Sequence, residues 1–188
     1  FLSGLGMTGY TGYFGMSDLG KPTASDTVVV SAASGAVGSI AAQVAKLAGA
    51  RVIGIAGGPV KADYLTDTLG LDAAIDYKNE DVSARLRKTC PDGIDLYFDN
   101  VGGALLDNIL ARLRRRARIV ICGSISEYLT EKENKHRFIN LQNLGRQDAK
   151  MEGFFVFDYE DVYPQCLEML ATWVREGALN PVEDISQG

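Results

Sequence analysis

Side chains that bind metals or form disulfides are scarce in this chain of 188 residues. There is one histidine, His136, and there are three cysteines, Cys90, Cys122 and Cys166, none of which is close enough to another to form a CxxC motif. These absences exclude a disulfide framework and a zinc-binding cysteine motif. We therefore predict no metal site and a location in the reducing cytoplasm.

The chain also lacks an excess of positive charge. Its 19 lysines and arginines are outnumbered by 24 aspartates and glutamates, which gives a formal net charge of −5, whereas nucleic-acid-binding domains carry a basic surface. No apolar run approaches the ~18 residues of a membrane span, and residues 1–4 lack the basic region of a signal peptide. We predict that neither nucleic acid nor membrane is a partner and, because no methionine begins the chain, that it is a fragment or a trimmed chain.

What the sequence does contain is an alternation of strand-like and helix-like segments. Residues 27–32 form a run rich in β-branched side chains, which is typical of a strand buried on both faces of a parallel sheet. Further strands are predicted at 51–56, 73–76, 93–99, 118–122 and 151–157, and helices at 8–19, 35–49, 60–69, 81–88, 104–113 and 159–175. This order predicts the α/β class: a doubly wound parallel sheet of six strands with helices on both faces.

A glycine-containing turn, AASGAVG at residues 32–38, connects the first strand to the first long helix. It matches the dinucleotide fingerprint, with Ala33 in place of the first glycine. Gly35 would let the backbone approach a pyrophosphate at the helix N-terminus, and Gly38 would let the helix pack closely on the strand. The pattern therefore predicts a Rossmann-type domain, with a tight turn that binds no ligand as the alternative.

The end of the second strand indicates which dinucleotide binds. NAD-specific sites carry an aspartate or glutamate there to bind the ribose 2′-hydroxyl. This chain has AGGP at residues 56–59, with no acid, and Lys61 follows. A lysine without a neighbouring carboxylate favours the 2′-phosphate of NADP, although Lys61 could instead be an ordinary surface lysine.

Five motifs in sequence order resemble one enzyme family. They are GMTGYTGYFG at 6–15, AASGAVG at 32–38, YFDNVGG at 97–103, CGSISEY at 122–128 and MEGF at 151–154. Together they are similar to the zinc-independent medium-chain dehydrogenase/reductases, in particular the leukotriene/prostaglandin and alkenal double-bond reductases. The resemblance implies that residues 1–188 are the NADP-binding domain, and that the family's GroES-like substrate domain and C-terminal return segment lie outside this sequence.

The resemblance also implies an activity, the transfer of a hydride from NADPH to the β-carbon of an α,β-unsaturated ketone or aldehyde. The implied substrate is a small-molecule enone or enal of unspecified size, and a homodimer is one candidate assembly. Tyr128 is the implied catalytic residue, as a hydrogen-bond donor to the enolate oxygen, with a purely structural role as an equal alternative. A quinone reductase of the same superfamily and a non-catalytic NADP-binding module are the alternative functions.

Cofactor contacts follow from the resemblance residue by residue. The pyrophosphate turn comprises Gly35, Ala36, Val37 and Gly38, with Thr11 near the phosphates. Lys61 and Tyr77 are implied at the 2′-phosphate, and Asn100 is an implied cofactor contact. Around the nicotinamide half the implied residues are Cys122, Gly123, Ser124, Tyr128, Phe154, Phe155 and Val156. The phenylalanines among them could instead be plain strand core.

Overall fold

Within residues 4–181, which the computed structural model describes, six strands form one parallel sheet. They are β1 (Thr27–Ser31), β2 (Arg51–Ala56), β3 (Ala73–Asp76), β4 (Ile94–Asp99), β5 (Leu113–Ile121) and β6 (Lys150–Gly153). Their spatial order is β3-β2-β1-β4-β5-β6. The order reverses between β1 and β4, which is the topology of a doubly wound sheet.

Helices connect the strands. They are α1 (Met7–Phe14), α2 (Ala36–Leu47), α3 (Pro59–Asp63), α4 (Val82–Thr89), α5 (Gly103–Leu110), α6 (Asn143–Arg146) and α7 (Tyr163–Arg175). Wider π-helical turns extend α1 over Gly15–Gly20 and α3 over Tyr64–Thr68, and short 3₁₀ turns cover Ile125–Glu127, Lys132–Asn134 and Val156–Val162. None of the helices described for residues 4–181 is long and apolar enough to cross a membrane.

The sheet is covered on both faces, as its sequence predicts. Val28 and Val30 of β1 belong to a core packed by α1, α2 and α7, whereas Val29 belongs to a second core packed by α4 and α5. All three side chains are fully buried. Because neighbouring side chains of a strand point to opposite faces, a continuous apolar run is needed to fill both cores. The predicted α/β fold is confirmed.

Several predicted boundaries are wrong. The fifth strand begins at Leu113 instead of residue 118, and the last helix begins at Tyr163 instead of residue 159. The sixth strand ends at Gly153 instead of residue 157, because the chain turns inward at Phe154, whose ring packs into the first core. Gly15 makes room for that ring, since a Cβ at Gly15 would lie 2.7 Å from it. The helix predicted to reach residue 113 ends at Leu110, because Leu113 already pairs with Ile94 in the sheet, before a register shift along β5.

The segment that follows β5 is attached to α5 by one carboxylate. Asp107 of α5 is buried and accepts hydrogen bonds from the backbone N–H groups of Ile139 (3.2 Å) and Asn140 (2.9 Å). His136 Nε2 lies 3.3 Å from the same carboxylate. Burial would raise the pKa of Asp107, but the hydrogen bonds from Asn140 and His136 outweigh it and lower the pKa. Asp107 thus holds the end of a long polar loop against the domain.

Candidate functional site

A cavity of about 560 Å³ opens at the carboxyl ends of the strands, next to the point where their order reverses. Its walls come from the end of β2 and from the segments that follow β1, β2, β3, β4 and β5. The lining residues are Ala32, Ser34, Gly35, Ile55, Ala56, Gly57, Lys61, Tyr77, Lys78, Val82, Val101, Ala104, Leu105, Asn108, Ile125 and Ser126. This is the position at which doubly wound folds bind their ligands.

The turn after β1 is shaped for close approach of a ligand. Ala32 has a left-handed backbone, with φ +47°, and its carbonyl oxygen accepts a hydrogen bond from Gly35 N at 2.9 Å. A Cβ on Gly38 would lie only 2.3 Å from that oxygen, so this position requires glycine. Gly35 precedes α2 and supplies no side-chain cap. The first N–H groups of α2 therefore remain available to an anion.

The segments after β2 and β3 meet beside this turn. Ala56 pairs with Asp76 in the sheet, so the residues that follow the two strands are neighbours. The Asp76 carboxylate accepts the N–H groups of Gly58 (2.7 Å) and Lys78 (3.0 Å) and so fixes both segments. Hydrogen bonds from Asn79 and Gly58 lower the pKa of Asp76, which keeps it ionised. In the described part of the chain, no aspartate or glutamate lines the cavity.

A buried hydrogen-bond network joins β1 to the end of β4. Oδ1 of Asp99 accepts the Tyr97 hydroxyl at 2.8 Å and the N–H groups of Val101 and Gly102, each at 2.9 Å. Asn100 donates its backbone N–H to Ser31 Oγ (2.8 Å) and its side-chain amide to the Ser31 carbonyl (2.7 Å). Burial raises the pKa of Asp99. The predicted cofactor residue Asn100 therefore also holds the end of β1.

The loop after β5 runs along this network. Both Cys122 N and Gly123 N donate to the Asp99 carbonyl, at 2.9 and 3.0 Å. Burial, with a contribution from the Asp99 charge, raises the pKa of Cys122 to about 11. The thiol is therefore neutral near pH 7 and is not an activated nucleophile.

Tyr128 is held by its hydroxyl group rather than by burial of its ring. The side chain is 65% exposed, and its hydroxyl oxygen accepts the Ser124 N–H at 3.2 Å. A Cβ on Gly123 would lie 3.0 Å from the same oxygen, so a bare glycine leaves room for it. No acceptor for the Tyr128 hydroxyl proton occurs among residues 4–181. The proton can therefore be donated to a ligand.

The remaining predicted residues lie around the same edge of the sheet. Ile121 pairs with Gly153, which brings the loop at Cys122 next to Phe154 and the residues after it. Phe154 is half-buried, whereas Phe155 is 62% exposed, and the Val156 carbonyl accepts the Tyr163 hydroxyl at 2.7 Å. Thr11 lies on α1, whose Gly12 packs so tightly on α2 that a Cβ there would be 2.8 Å from the Val37 carbonyl. The Thr11 hydroxyl itself donates to the Met7 carbonyl within α1, at 2.7 Å.

Of the predicted site residues, Gly35, Lys61 and Tyr77 line this cavity and the others do not; most of its lining, including Lys78, Asn108 and Ser126, was not predicted as cofactor contacts. Lys78 directly follows Tyr77, and a second lysine near the predicted Lys61 is the signal that could have revealed it. Asn108 and Ser126 carried no such signal, because they reach the cavity only through the course of α5 and of the loop after β5. Among the described residues, no group of three or more histidine, cysteine or acidic side chains could hold a metal ion.

A parallel sheet whose order reverses beside an uncapped, glycine-containing turn and an open cleft defines a Rossmann-type domain of the dinucleotide-binding class. The sequence profile of the family described as zinc-binding dehydrogenase matches residues 36–172. The chain belongs to this family, and the membership that its motifs indicated is confirmed.

Individual relatives are similar over nearly the whole chain. It is 46% identical over 186 residues to the NADP(+)-dependent 2-alkenal reductase of Nicotiana tabacum, covering 98% of this chain and 53% of that protein. It is 42% identical over 186 residues to (+)-pulegone reductase of Mentha piperita, covering 98% of this chain and 54% of that protein. A solved structure, CurA from Vibrio vulnificus in complex with NADPH, matches with a TM-score of 0.87 and 42% identity over 94% of this chain and 54% of that chain. The chain thus spans about half the length of the curated relatives it matches.

Proposed function

We propose that this domain binds NADPH in the cleft and serves the reduction of the carbon–carbon double bond in enones or enals. The observation that carries the proposal is the charge of the cleft, where Lys61 lines the cavity and the lining residues of the described chain include no acid. The names of similar proteins support it, since a 2-alkenal reductase and a CurA–NADPH complex are among them.

The residues of the cleft fit the parts of this dinucleotide. The uncapped start of α2 suits the pyrophosphate, because free N–H groups and the helix dipole favour an anion. Lys61 and Tyr77 suit the 2′-phosphate. An apolar section formed by Val82, Val101 and Leu105 suits a purine ring.

The chemistry is divided between the cofactor and the protein. NADPH, when bound, supplies the hydride for the β-carbon of the substrate. Negative charge then develops on the substrate's carbonyl oxygen, and a positioned donor lowers the barrier. The Tyr128 hydroxyl is the proposed donor, because the Ser124 N–H holds its oxygen and its own proton is free within residues 4–181. Asn100 and Asp99 act by fixing the loops on which these groups stand.

The proposal also covers compartment and assembly. All three cysteines are free thiols, which suits the cytoplasm. A homodimer remains part of the proposal, since β6 is the last strand in the sheet order of the described residues and its outer edge offers backbone groups to a second copy. Size-exclusion chromatography with light scattering distinguishes a monomer from a dimer.

Calorimetric titration with NADPH and with NADH tests the proposed function. We expect NADPH to bind at least about tenfold more tightly, because charge-assisted hydrogen bonds to the 2′-phosphate are worth ~1.5–3 kcal/mol. Equal affinities would contradict the assignment of the cleft. Tight, selective binding by a complete protein that reduces quinones but not enones would favour the quinone reductase alternative, and binding without either activity would favour a non-catalytic module.

A further inference from the structure

Lys78 stands beside the end of β2, although it comes from the segment after β3. A Cβ on Gly57, the first residue after β2, would lie 3.0 Å from Lys78 Cε and 2.9 Å from the Tyr77 ring. The stem of Lys78 therefore passes over the backbone of Gly57, and the aromatic ring of Tyr77 lies next to it. Both side chains depend on the absence of a side chain at Gly57.

This position has a defined meaning in doubly wound folds. Where NAD is preferred, a carboxylate at the end of the second strand binds the ribose 2′-hydroxyl. Here the backbone carries a glycine, and the space that an acidic side chain would enter is filled by a cation and an aromatic ring. An acidic side chain at Gly57 would fit only if Lys78 and Tyr77 moved.

The charges that line the cavity also favour an anionic ligand. Lys61 and Lys78 both line it, and neither ammonium group has an ion pair or hydrogen bond within residues 4–181. The nearby carboxylate of Asp76 is occupied by the backbone N–H groups of Gly58 and Lys78. Two unpaired like charges that face one cavity repel each other, and a dianion between them would remove the repulsion and gain two charge-assisted contacts.

We infer that Lys78 is a second binding group for the 2′-phosphate, acting together with Lys61, and that it determines the preference for NADP over NAD. This inference rests on the proposed function, because it assumes that the cleft binds a dinucleotide. The Lys78 N–H donates to the Asp76 carboxylate, and this hydrogen bond fixes the backbone position from which the lysine side chain extends.

Binding of NADPH and NADH, measured by calorimetry, tests the inference without a reaction. Lys78→Gln removes the charge and keeps much of the stem. We expect its Kd for NADPH to rise about tenfold, the effect of one charge-assisted bond, with the Kd for NADH unchanged. Lys78→Arg keeps the charge and should retain the preference. Lys88→Gln is the matched control, because Lys88 is exposed on α4 and does not line the cavity.

A second variant tests whether the positions of Lys78 and Tyr77 depend on the absence of a side chain at Gly57. Gly57→Asp places a carboxylate where the Lys78 stem and the Tyr77 ring lie, so it should displace both and lower NADPH affinity more than NADH affinity. Thermal unfolding of every variant confirms that the domain is folded.

The possible results distinguish a failure of the proposed function from a failure of the Lys78 inference alone. If the unaltered chain binds both cofactors equally, the proposed function and the inference both fail. If it prefers NADPH but Lys78→Gln preserves that preference, the inference alone is overturned and Lys61 suffices. If Lys78→Gln weakens NADPH and NADH equally, Lys78 acts through the turn rather than the 2′-phosphate, and the inference is likewise overturned.

Discussion

Gly35 and Gly38 lie in the same turn but meet different surroundings. A Cβ on Gly38 would be 2.3 Å from the Ala32 carbonyl oxygen, which belongs to the backbone and cannot rotate away. A Cβ on Gly35 meets only that oxygen, at 3.2 Å, and Gly35 is exposed with φ −83°, which any residue adopts. The fold therefore requires glycine at position 38 but not at position 35, where the proposed pyrophosphate contact is the reason for a glycine.

This difference predicts opposite phenotypes. Gly38→Ala should lower the free energy of unfolding by about 3 kcal/mol, in the upper range for overpacking. Gly35→Val should fold but lose more than about tenfold in NADPH affinity, because the side chain stands where phosphate would reach the α2 N–H groups. Denaturant unfolding and calorimetry on both variants check this. A Gly35→Val protein that keeps its NADPH affinity would show that the turn is not the phosphate site.

Single residues also show which features of the site could be predicted from the sequence and which could not. The turn before α2 and the presence of Lys61 beside the same cavity could be predicted, because each has a local signature: a strand, a turn and a helix, or a strand end without an acid. Lys78 follows the predicted Tyr77 in sequence, but its place beside Gly57 depends on the pairing of Ala56 with Asp76, and no local pattern encodes that register.

At the scale of elements, the central strand β1 was predictable and the end of β6 was not. β1 has a continuous apolar run because it fills a core on each face, and that run is visible in the sequence. β6 has only four residues, and the aromatic residues that follow it suggest a longer strand. Phe154 instead turns into the core beside Gly15, a contact between distant parts of the chain.

The loop held by Asp107 gives a prediction at this scale. Asp107→Ala should release the backbone around the exposed residues Lys132, Lys135 and Arg137 and speed trypsin cleavage there about tenfold, because two backbone N–H groups lose their acceptor. Asp107→Asn keeps an acceptor oxygen and should show a smaller effect. The control Asp92→Ala removes an exposed carboxylate elsewhere and should leave the rate unchanged. Wild-type cleavage rates in Asp107→Ala would rule out this carboxylate as the attachment.

The same contact sets the direction of a pH effect. The folded-state pKa of Asp107 is lowered, so its ionised form stabilises the folded state. This contribution is fully present above the unfolded pKa of about 3.9 and is lost as the pH falls through the lower folded value. Hydrogen exchange of the Ile139 and Asn140 amides, normalised for intrinsic rates, should therefore lose protection below about pH 4.

At the scale of the whole molecule, the proposed function assigns the described residues to cofactor binding and to one side of the reaction site. The chain spans about half of its relatives, and Tyr128 is 65% exposed. A hydrogen bond from an exposed hydroxyl to a forming enolate is weak in water. Positioning donor and acceptor can be worth ~7–11 kcal/mol of the barrier, and residues 4–181 supply no second wall to position an enone.

We therefore expect residues 1–188 alone to bind NADPH and to reduce a simple enone poorly or not at all. The measurement compares NADPH oxidation by this chain with that by a longer protein that includes a GroES-like segment, at saturating cofactor. Comparable kcat/KM values would show that these 188 residues already contain a complete site, and that the division into cofactor and substrate domains is wrong.

The hydrogen bonds between Ser31 and Asn100 have a consequence for the order in which the domain folds during synthesis. They join residues 69 positions apart, and β4 must insert beside β1 before they can form. Contacts between distant parts of a chain form late, since the entropy of closing the intervening loop must first be overcome. On a ribosome, the turn after β1 emerges long before its partner. In a nascent chain whose β4 is still inside the ribosome, the turn after β1 would lack the contacts that β4 and Asn100 provide. We therefore expect cofactor to stabilise the domain only after β4 has paired with β1.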